Sequence, residues 1–471
     1  MSSRHDVVVI GSGTGGYVAA IRAAQLGLQV AVVERDAVLG GTCLNRGCIP
    51  TKALLEHAHA LDVVRDAPAW GIRLPAGAPT LDLAVVNTRK DDVVAGLTRG
   101  VEFLFRKPGI ETIRGTARLG GTGSVDVVGD APRSLSAREI IVATGSAPRA
   151  LPDVPVDGTH VITSDHAIAL EAVPESVAII GSGAVGVEFA SIFQRFGSRV
   201  TIVEMMPAIV PGEEAAVSAE LARVFRKRGI DVRTSRKVTT VDIRDGRVHV
   251  TIEGPDGTSE TIEVEKLLVA AGRSPVTAGL GAEGAGLAIE NGFIRVDELY
   301  RTNVPGISAI GDVIAIGERP HPQLAHVSSA EGILVAERIA GHSVAPLDYD
   351  KVPACTYCAP EIGSVGLTEA EARARGFDVR VGTFPFSALG RARIARHTEG
   401  FVKIVGEKRY DQLLGVHIIG AGATELVAEG AAALRLDSTV EELARTIHAH
   451  PTMSEAIGEA AHATLGAAIH L

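Results

Sequence analysis

Residues 6–36 read DVVVIGSGTGGYVAAIRAAQLGLQVAVVERD, and residues 176–206 read SVAIIGSGAVGVEFASIFQRFGSRVTIVEMM. Each stretch is an apolar run, a glycine-rich turn, a segment of helical periodicity, a second apolar run and a glutamate. The first glycine of the turn and the final glutamate are equally far apart in both stretches. One such βαβ unit would be a moderate signal, and two with identical spacing strongly indicate two dinucleotide-binding domains.

Each glycine of the repeat, and its glutamate, has a physical role. Gly11 permits the tight turn out of the first strand, and Gly13 leaves room for a pyrophosphate at the helix N-terminus, where negative charge is favoured. Gly16 lets the helix pack closely, and Glu34 can accept hydrogen bonds from a ribose diol. The alternative, a glycine-rich turn that binds no nucleotide, is disfavoured by the duplication. The equivalent residues of the second repeat are Gly181, Gly183, Gly186 and Glu204.

Glu204 also predicts which nicotinamide nucleotide is used. A carboxylate there binds a ribose 2′-hydroxyl but repels a 2′-phosphate. Met205, Met206 and Pro207, which follow it, supply no cation for such a phosphate. The second repeat is therefore expected to prefer NAD over NADP.

The overall composition limits the class of protein. A chain of 471 residues predicts two to four domains, and a net charge of −10 argues against nucleic acid or an anionic membrane as a partner. Four cysteines are too few for a secreted disulfide framework. The first strand pattern begins after six residues, which leaves no room for a signal peptide, and every apolar run is interrupted. We expect a cytoplasmic protein.

Other segments complete the predicted layout. A helical region is expected near 81–107, with β-rich segments to about 142. Residues 140–148 (IIVATGSAP) and 266–275 (KLLVAAGRSP) both read as a strand that runs into a glycine turn. From about residue 348 the pattern is of antiparallel strands and helices, which indicates a separate C-terminal domain.

Residues 40–52 read GGTCLNRGCIPTK and contain two of the four cysteines. If a helix begins at about Ile49, the chain that enters it can bring the sulfurs of Cys43 and Cys48 within bonding distance. The helix N-terminus would favour a thiolate at the second cysteine. The alternative, two inert buried thiols, is less favoured directly after a nucleotide-binding unit.

This motif resembles the redox motif of the pyridine nucleotide–disulfide oxidoreductases. The segments GGYVAAIRAAQLG, QLAHVSSAEG, CTYCAPEIGSVGLTEAEA and HAHPTMSEAIGEA are similar, in this order, to the dihydrolipoamide dehydrogenase family. The resemblance covers essentially the whole chain. It implies that the first repeat holds FAD, that the second holds NAD, and that the enzyme oxidises dihydrolipoamide to lipoamide with NAD⁺ as acceptor.

The resemblance also implies further site residues. Asp312 matches the residue that binds the ribityl chain of the flavin, and Lys52 matches the lysine near the isoalloxazine. Glu188 matches the carboxylate partner of that lysine; without the resemblance, Lys52 and Glu188 would pass as surface charges. The remaining matches are Thr42, Gly115, Thr144, Gly145 and Ala325 for FAD, and Gly272 for NAD.

A dithiol reacts as a thiolate, so a base is needed near neutral pH, and histidine suits that task. His450 is followed by Pro451, and Glu455 lies five residues on. The family ending implies that His450 is the base and that Glu455 orients it. A second interpretation remains open, because Thr452 and Glu455 could form a capping box at the start of the last helix. His448 is predicted to be structural.

The resemblance implies a complete cycle. His450, reaching across from a second subunit, deprotonates the substrate, and the thiolate attacks Cys43 through a mixed disulfide. Cys48, nearer the flavin, then passes the electrons on, and hydride reaches NAD.

The sequence departs from the family pattern at two positions, and it contains a second cysteine pair. Thr14 replaces a common proline, and Arg46 stands where many relatives have valine, but neither position needs a particular side chain for the chemistry. Cys355 and Cys358 have CxxC spacing. No second pair at zinc-site spacing accompanies them, so a structural role is predicted and no metal is expected.

Rival functions on the same scaffold conflict with single residues. A glutathione reductase should have basic residues at Glu204, a mercuric reductase should have a C-terminal cysteine pair, and a soluble transhydrogenase would lack the complete pair. A scaffold protein with structural nucleotide sites would not need Cys43, Cys48, His450 and Glu455 together. The resemblance implies a homodimer that serves lipoyl domains and the acyltransferase core of a 2-oxo acid dehydrogenase complex, or a glycine cleavage system.

The predicted architecture is α/β, with two Rossmann-like domains and a C-terminal α+β dimerisation domain. The FAD domain is expected at 1–148 and 274–346. The NAD domain is inserted at 149–273, and the dimerisation domain occupies 347–471.

Overall fold

The structure is a computed structural model that describes residues 4–75, 77, 79–129, 131–318 and 320–470. The chain divides into two compact units. The first comprises Met1–Ala53, Ala84–Arg149 and Gly272–Leu347, and the second comprises Leu54–Leu83, Ala150–Ala271 and Asp348–Leu471. Leu54–Leu83 therefore belongs to the second unit, whereas the sequence placed it in the first FAD segment. The four-domain boundaries stay a prediction.

The first unit is built on a seven-stranded sheet. Its central strand, Arg4–Ile10, runs parallel to Val30–Glu34 and to Arg133–Val142, with Val9 opposite Val32 and Ile141. Its valine-rich strands are buried, as expected where helices cover a parallel sheet. The strand order is Glu111–Arg114, Val30–Glu34, Arg4–Ile10, Arg133–Val142, Ser124–Val128 and Thr116–Leu119, and Ile307–Ala309 also pairs with Arg133–Val142.

Two helices of the first unit pack closely against each other. Thr14–Gln25 follows the first glycine turn, and Ala325–Ile339 crosses it. A Cβ at Gly332 would lie 2.6 Å from the carbonyl oxygen of Gly15, so only glycine allows this approach. Arg22 and Glu337 form an ion pair of 2.6 Å across the contact. The remaining elements are Gly41–Asn45, Leu83–Arg106, the 3₁₀ turn Gly311–Val313 and the short strands Ser146–Pro148, Arg273–Pro275, Ile289–Glu290, Phe293–Val296 and Ile314–Ile316.

The second unit contains a five-stranded parallel sheet that repeats the first design. Ser176–Ile180 leads into the helix Ala184–Phe196, which returns to Arg199–Val203. The strand order is Asp231–Arg233, Arg199–Val203, Ser176–Ile180, Lys266–Val269 and Val161–Ile162. The antiparallel strands Lys237–Arg244, Arg247–Glu253 and Ser259–Val264 form a separate sheet, and the other helices are Ser164–Ala167 and Ala215–Lys227.

The C-terminal part of the second unit is an antiparallel sheet covered by helices. A Cβ at Gly382 would lie 2.1 Å from the backbone nitrogen of Thr464, which shows how closely the last helix packs on the sheet. The strands are, in order, Ala354–Thr356, Ile362–Gly366, Leu413–Gly420, Gly400–Glu407 and Val379–Pro385; the helices are Glu369–Ala374, Gly390–Ala395, Ala423–Arg435, Val440–Arg445 and Glu455–Thr464, with the 3₁₀ turns Tyr349–Lys351 and Phe386–Ala388.

The predicted fold class is confirmed by these sheets: two dinucleotide-binding βαβ folds and a C-terminal α+β region. The helix expected from Ile49 begins one residue earlier, as Cys48–Asp66, and continues into the 3₁₀ turn Ala67–Trp70. Within the described part of the chain, we find no helix with the length and apolar character needed to cross a membrane.

Candidate functional site

The two glycine-rich turns have the same geometry. Gly11 and Gly181 adopt φ values of +99° and +95°, a region that favours glycine. A Cβ at Gly16 would lie 2.0 Å from the carbonyl oxygen of Gly11, and a Cβ at Gly186 would lie 2.0 Å from that of Gly181. The third glycine of each motif thus allows the helix to approach the end of the preceding strand, in line with the close packing that the sequence suggested.

The middle glycine of each turn faces open space. A Cβ at Gly13 or Gly183 would meet nothing within 4 Å. These positions precede the helices Thr14–Gln25 and Ala184–Phe196, whose first N–H groups and positive dipole ends attract phosphate. Both turns therefore fit the diphosphate of a dinucleotide.

The glutamates that end the second strands hold the turns in place. In the first unit, the Oε2 atom of Glu34 accepts hydrogen bonds from the Ser12 N–H at 2.8 Å and the Ser12 hydroxyl at 2.6 Å. In the second unit, the Oε2 atom of Glu204 accepts the same two bonds from Ser182, at 2.8 and 2.7 Å. In each case Oε1 accepts a backbone N–H two residues further on, at 2.9 and 2.8 Å.

These contacts leave each carboxylate with a remaining acceptor position. A carboxylate offers about four lone pairs, and three of them are occupied by the turn. The fourth, on Oε1, can accept a ribose hydroxyl, while the buried negative charge opposes a 2′-phosphate. Sequence reasoning missed Ser12 and Ser182, although the repeated GSG was a visible signal.

Two arginines near Glu204 were also missed. The Glu204 N–H donates to the Arg233 carbonyl and the Arg236 N–H donates to the Glu204 carbonyl, both at 2.9 Å. Their guanidinium groups bind elsewhere: Arg233 donates to Asp231 at 2.8 Å, and Arg236 donates to the Thr258 hydroxyl at 3.1 Å. Both guanidinium groups are thus paired with residues other than Glu204.

The two cysteines of the redox motif lie in the first unit as thiols in contact. Cys43 lies on the short helix Gly41–Asn45, and Cys48 is the first residue of the helix Cys48–Asp66. The hydrogen bond between the two sulfurs raises the pKa of Cys43 far above its usual value, and burial adds to this effect. The proton therefore stays on Cys43 while the two sulfurs are in contact.

The redox segment packs on the first glycine turn. A Cβ at Gly41 would lie 2.5 Å from the Cα of Gly13, and the Gly40 N–H donates to the Ser12 carbonyl at 3.0 Å. Arg46, which stands between the cysteines, donates to Asp36 just beyond the second strand. The arginine thus fastens the cysteine segment to the edge of the nucleotide fold.

Asp312 lies in the turn Gly311–Val313, also in the first unit. The Ser146 hydroxyl donates to its Oδ2 at 2.6 Å, and the Arg273 Nε donates to the Ser146 hydroxyl at 2.6 Å. Arg273 itself lies 3.8 Å from Oδ2. Sequence reasoning missed both supporting residues, which reach Asp312 only through tertiary contact.

The remaining residues predicted to bind FAD surround the same sheet. Thr144 donates its hydroxyl to the Val276 carbonyl at 2.7 Å, and the Gly115 N–H donates to the Glu34 carbonyl at 3.0 Å. Gly145 has a φ of +67°. Thr42 lies on the short helix beside Cys43, and Ala325 begins the helix Ala325–Ile339.

Not all predicted residues fall in one unit. Lys52 lies in the first unit and Glu188 in the second. Gly272, predicted to bind NAD, begins the third segment of the first unit. Glu188 is only 3% exposed and accepts the Tyr357 N–H at 2.9 Å, so the interpretation of this residue as a surface charge is wrong. Burial raises the pKa of Tyr357 to about 12.

His450 and Glu455 form the expected pair in the second unit. The His450 Nδ1 lies 2.8 Å from the Glu455 Oε1, and the imidazole is 79% exposed. The Glu455 Oε2 accepts the Thr452 N–H at 2.8 Å. Burial alone would raise the pKa of Glu455, but the hydrogen bonds from His450 and Thr452 outweigh burial and lower it.

Only half of the possible capping box is present: the Glu455 side chain accepts the Thr452 N–H, but the Thr452 hydroxyl makes no bond to the helix. Glu455 begins the helix Glu455–Thr464 and orients His450 at the same time. The Thr452 hydroxyl donates to the Ala449 carbonyl at 2.6 Å rather than capping the helix. His448 is paired with Glu429 at 2.7 Å, which raises the pKa of His448.

The second cysteine pair makes local backbone contacts. The Cys355 Sγ donates to the Thr424 carbonyl at 3.7 Å, and the Cys358 Sγ donates to the Pro360 carbonyl at 3.1 Å. Burial raises the pKa of Cys358 well above its usual value, which makes the thiol inert. Over the described ranges, we find no group of three or more His, Cys, Asp or Glu side chains placed to hold a metal ion.

Comparison with known families decides the assignment. Residues 5–332 match the model of the pyridine nucleotide-disulphide oxidoreductases, and residues 352–461 match the dimerisation domain of that group. The chain belongs to the pyridine nucleotide-disulphide oxidoreductase family. As a member, it uses FAD and NAD, which fits the two glycine turns, and it carries a dimerisation domain in its C-terminal part.

Individual relatives of this oxidoreductase align from end to end. The chain is 44% identical to the dihydrolipoyl dehydrogenase of Bacillus subtilis, with 100% of both chains covered. It is 43% identical to dihydrolipoyl dehydrogenase 3 of Pseudomonas aeruginosa, with 98% of both covered. The crystal structure of LpdA from Mycobacterium tuberculosis matches with a TM-score of 0.88 at 28% identity, covering 98% of this chain and 99% of that one.

Proposed function

We propose that this chain is a dihydrolipoyl dehydrogenase that oxidises protein-bound dihydrolipoyl groups and delivers the electrons to NAD⁺. The observation that carries the proposal is the alignment, over the whole of both chains, with the Bacillus subtilis enzyme of that name. The thiol pair Cys43–Cys48 and the pair His450–Glu455 supply the acceptor sulfurs and the base that this reaction needs.

The cycle begins with a proton transfer. The exposed His450 imidazole accepts a proton from a substrate thiol at Nε2, while Glu455 holds Nδ1–H and stabilises the resulting cation. In the proposed homodimer, the His450 of one protomer acts on the substrate at the cysteine pair of the other.

Disulfide exchange follows. In the oxidised enzyme, the substrate thiolate attacks the Cys43 sulfur; the Cys43–Cys48 bond breaks, and Cys48 leaves as a thiolate. The sulfur with the better stabilised negative charge is the better leaving group, so the helix N-terminus at Cys48 directs attack to Cys43.

The second substrate sulfur then completes the exchange. This second thiol attacks the first substrate sulfur, the bond from that sulfur to Cys43 breaks, and the cyclic disulfide product forms. The proton of the second thiol passes to the Cys43 sulfur. The chain is left with a protonated Cys43 and a thiolate at Cys48, the arrangement that the raised pKa of Cys43 favours.

The cofactors are bound by residues of both units. Glu34, Gly13 and Asp312 would hold FAD, and Gly183 and Glu204 would hold NAD. When bound, FAD would supply a two-electron carrier between the Cys48 thiolate and NAD⁺. Overall, the dithiol loses two electrons and two protons, and NADH and one proton are formed.

The partners follow from the same proposal. We propose a cytoplasmic homodimer that serves the lipoyl domains and acyltransferase core of a 2-oxo acid dehydrogenase complex, or a glycine cleavage system. The dimerisation domain and the names of the relatives support it. Failure to co-sediment with such a core would argue against docking.

The test is a paired anaerobic assay on the purified flavoprotein. We expect NADH to form from dihydrolipoamide and NAD⁺, and we expect no oxidation of NADPH by glutathione disulfide, because Glu204 opposes the 2′-phosphate. Activity in the second assay alone would contradict both the substrate and the nucleotide. If neither assay shows activity although FAD is bound, the proposal of a dithiol substrate is wrong.

A further inference from the structure

A buried carboxylate holds the turn that carries Asp312. Glu331, on the helix Ala325–Ile339, is 0% exposed. Its Oε2 accepts the Gly311 N–H at 2.6 Å, and its Oε1 lies 2.7 Å from the Nε2 of His321, whose side chain is 1% exposed. Neither His321 nor Glu331 has a part in the proton and sulfur transfers described above.

The hydrogen bonds define where the His321 proton lies. The Gln323 N–H donates to the Nδ1 of His321 at 3.1 Å. A backbone N–H can only donate, so Nδ1 is an acceptor and the ring proton is on Nε2. The Nε2–H therefore donates to Glu331. The result is a continuous chain of donors and acceptors from Gln323 through His321 and Glu331 to Gly311.

The turn has little freedom around this chain. Gly311 has a φ of +74°, and a Cβ there would lie 2.9 Å from the Ser328 hydroxyl oxygen. On the other side, the Gln323 side-chain amide donates to the Asp312 carbonyl at 3.4 Å, and the Ser146 hydroxyl donates to the Asp312 carboxylate at 2.6 Å. A shift of Gly311 would therefore move the carboxylate of Asp312, the next residue in the chain.

We infer that His321 and Glu331 are positioning residues for FAD: they fix the Gly311 peptide and thereby set where Asp312 meets the ribityl chain. The inference rests on the proposed role of Asp312. A buried carboxylate is stable only when hydrogen-bond donors satisfy it. If the His321 donor is removed, the Glu331 carboxylate shifts away from its present position. The relaxation is transmitted through Gly311, and it weakens FAD binding without touching the cysteine pair.

The test measures the dissociation constant of FAD for the apoprotein by flavin fluorescence, beside the thermal unfolding midpoint. We expect H321L to raise this constant at least about tenfold, because a buried charged hydrogen bond is lost. H321Q, which keeps a side-chain N–H donor, should recover a large part of the affinity.

His5 provides a matched control within the same compact unit. Its Nε2 lies 2.9 Å from Glu111, which Arg133 also contacts at 2.7 Å, and His5 is 8% exposed. It lies at the start of the strand Arg4–Ile10, away from the turn. H5L should lower the unfolding midpoint but change the dissociation constant of FAD by no more than about twofold. The loss of the His5–Glu111 pair should affect only its immediate surroundings.

A second variant covers the case in which H321L fails to fold. In E331Q, an amide replaces the carboxylate, and its NH₂ group must face either the Gly311 N–H or the His321 Nε2–H. In either orientation, an NH₂ donor faces an N–H donor and no hydrogen bond can form between them. The dissociation constant of FAD should therefore rise as in H321L.

The variant D312A distinguishes a failure of the positioning role from a failure of the proposed FAD site. If D312A binds FAD as tightly as the unchanged chain, the role of Asp312 is wrong. If D312A weakens FAD binding but H321L and E331Q lower only the unfolding midpoint, as H5L does, the site stands and the positioning role is overturned.

Discussion

Replacement of Cys48 by serine is expected to lower NADH formation from dihydrolipoamide by at least about 10³-fold while FAD stays bound. A serine hydroxyl cannot form the disulfide that accepts the substrate electrons. The Cys43 thiol would remain, but it would have no sulfur partner to displace. The measurement is the steady-state rate of NADH formation under anaerobic conditions, with the flavin content determined from the visible spectrum.

The matched control for this variant is C355S. The Cys355 thiol donates to the Thr424 carbonyl at 3.7 Å, a bond that a hydroxyl can replace, and we expect activity within about twofold of the unchanged chain. Electron transfer from NADH to an artificial acceptor should survive in C48S, because it bypasses the disulfide. A rate for C48S within tenfold of the unchanged chain would contradict the proposed route of the electrons.

Replacement of His450 by glutamine is expected to lower the same rate by about 10² to 10⁴, the usual contribution of a general base. The exposed imidazole is held only 2.8 Å from Glu455, and glutamine cannot accept the substrate proton. The loss should shrink as the pH rises toward the pKa of the substrate thiol, since that thiol then ionises without help. The measurement is the rate as a function of pH.

His470 supplies the control. It is 69% exposed and lies 2.7 Å from Glu459 on the same last helix, so H470Q removes a similar exposed pair outside the HPTMSE segment. H470Q should change the rate by less than about twofold at every pH. Equal pH profiles for H450Q and H470Q would show that His450 is not the base.

The sequence was sufficient where the information is local. The glycine turns and the helix after Cys48 depend on residues close together in the chain, so spacing and turn chemistry predicted them. The pair His450–Glu455 is equally local, but it was assigned by the family resemblance, because the residues alone also allowed a capping box. The start of the helix at Cys48 rather than Ile49 is the ordinary uncertainty of a helix end.

Contacts between distant segments were beyond the sequence. Arg233 comes beside Glu204 only because its strand pairs with Arg199–Val203, with Val203 opposite Arg233. Glu188 is buried only because the segment of Tyr357 covers it. The supports of Asp312 are separated from it by up to 166 residues, and no periodicity encodes such pairs.

The most direct test of the cysteine relay is a thiol map before and after anaerobic reduction with one equivalent of dihydrolipoamide, without NAD⁺. After denaturation and alkylation, we expect Cys43 and Cys48 to be protected in the unreduced sample and labelled in the reduced one. Cys355 and Cys358 should be labelled equally in both samples. Equal labelling of Cys43 and Cys48 before and after reduction would contradict the proposed electron route, because the pair would then not have received the substrate electrons.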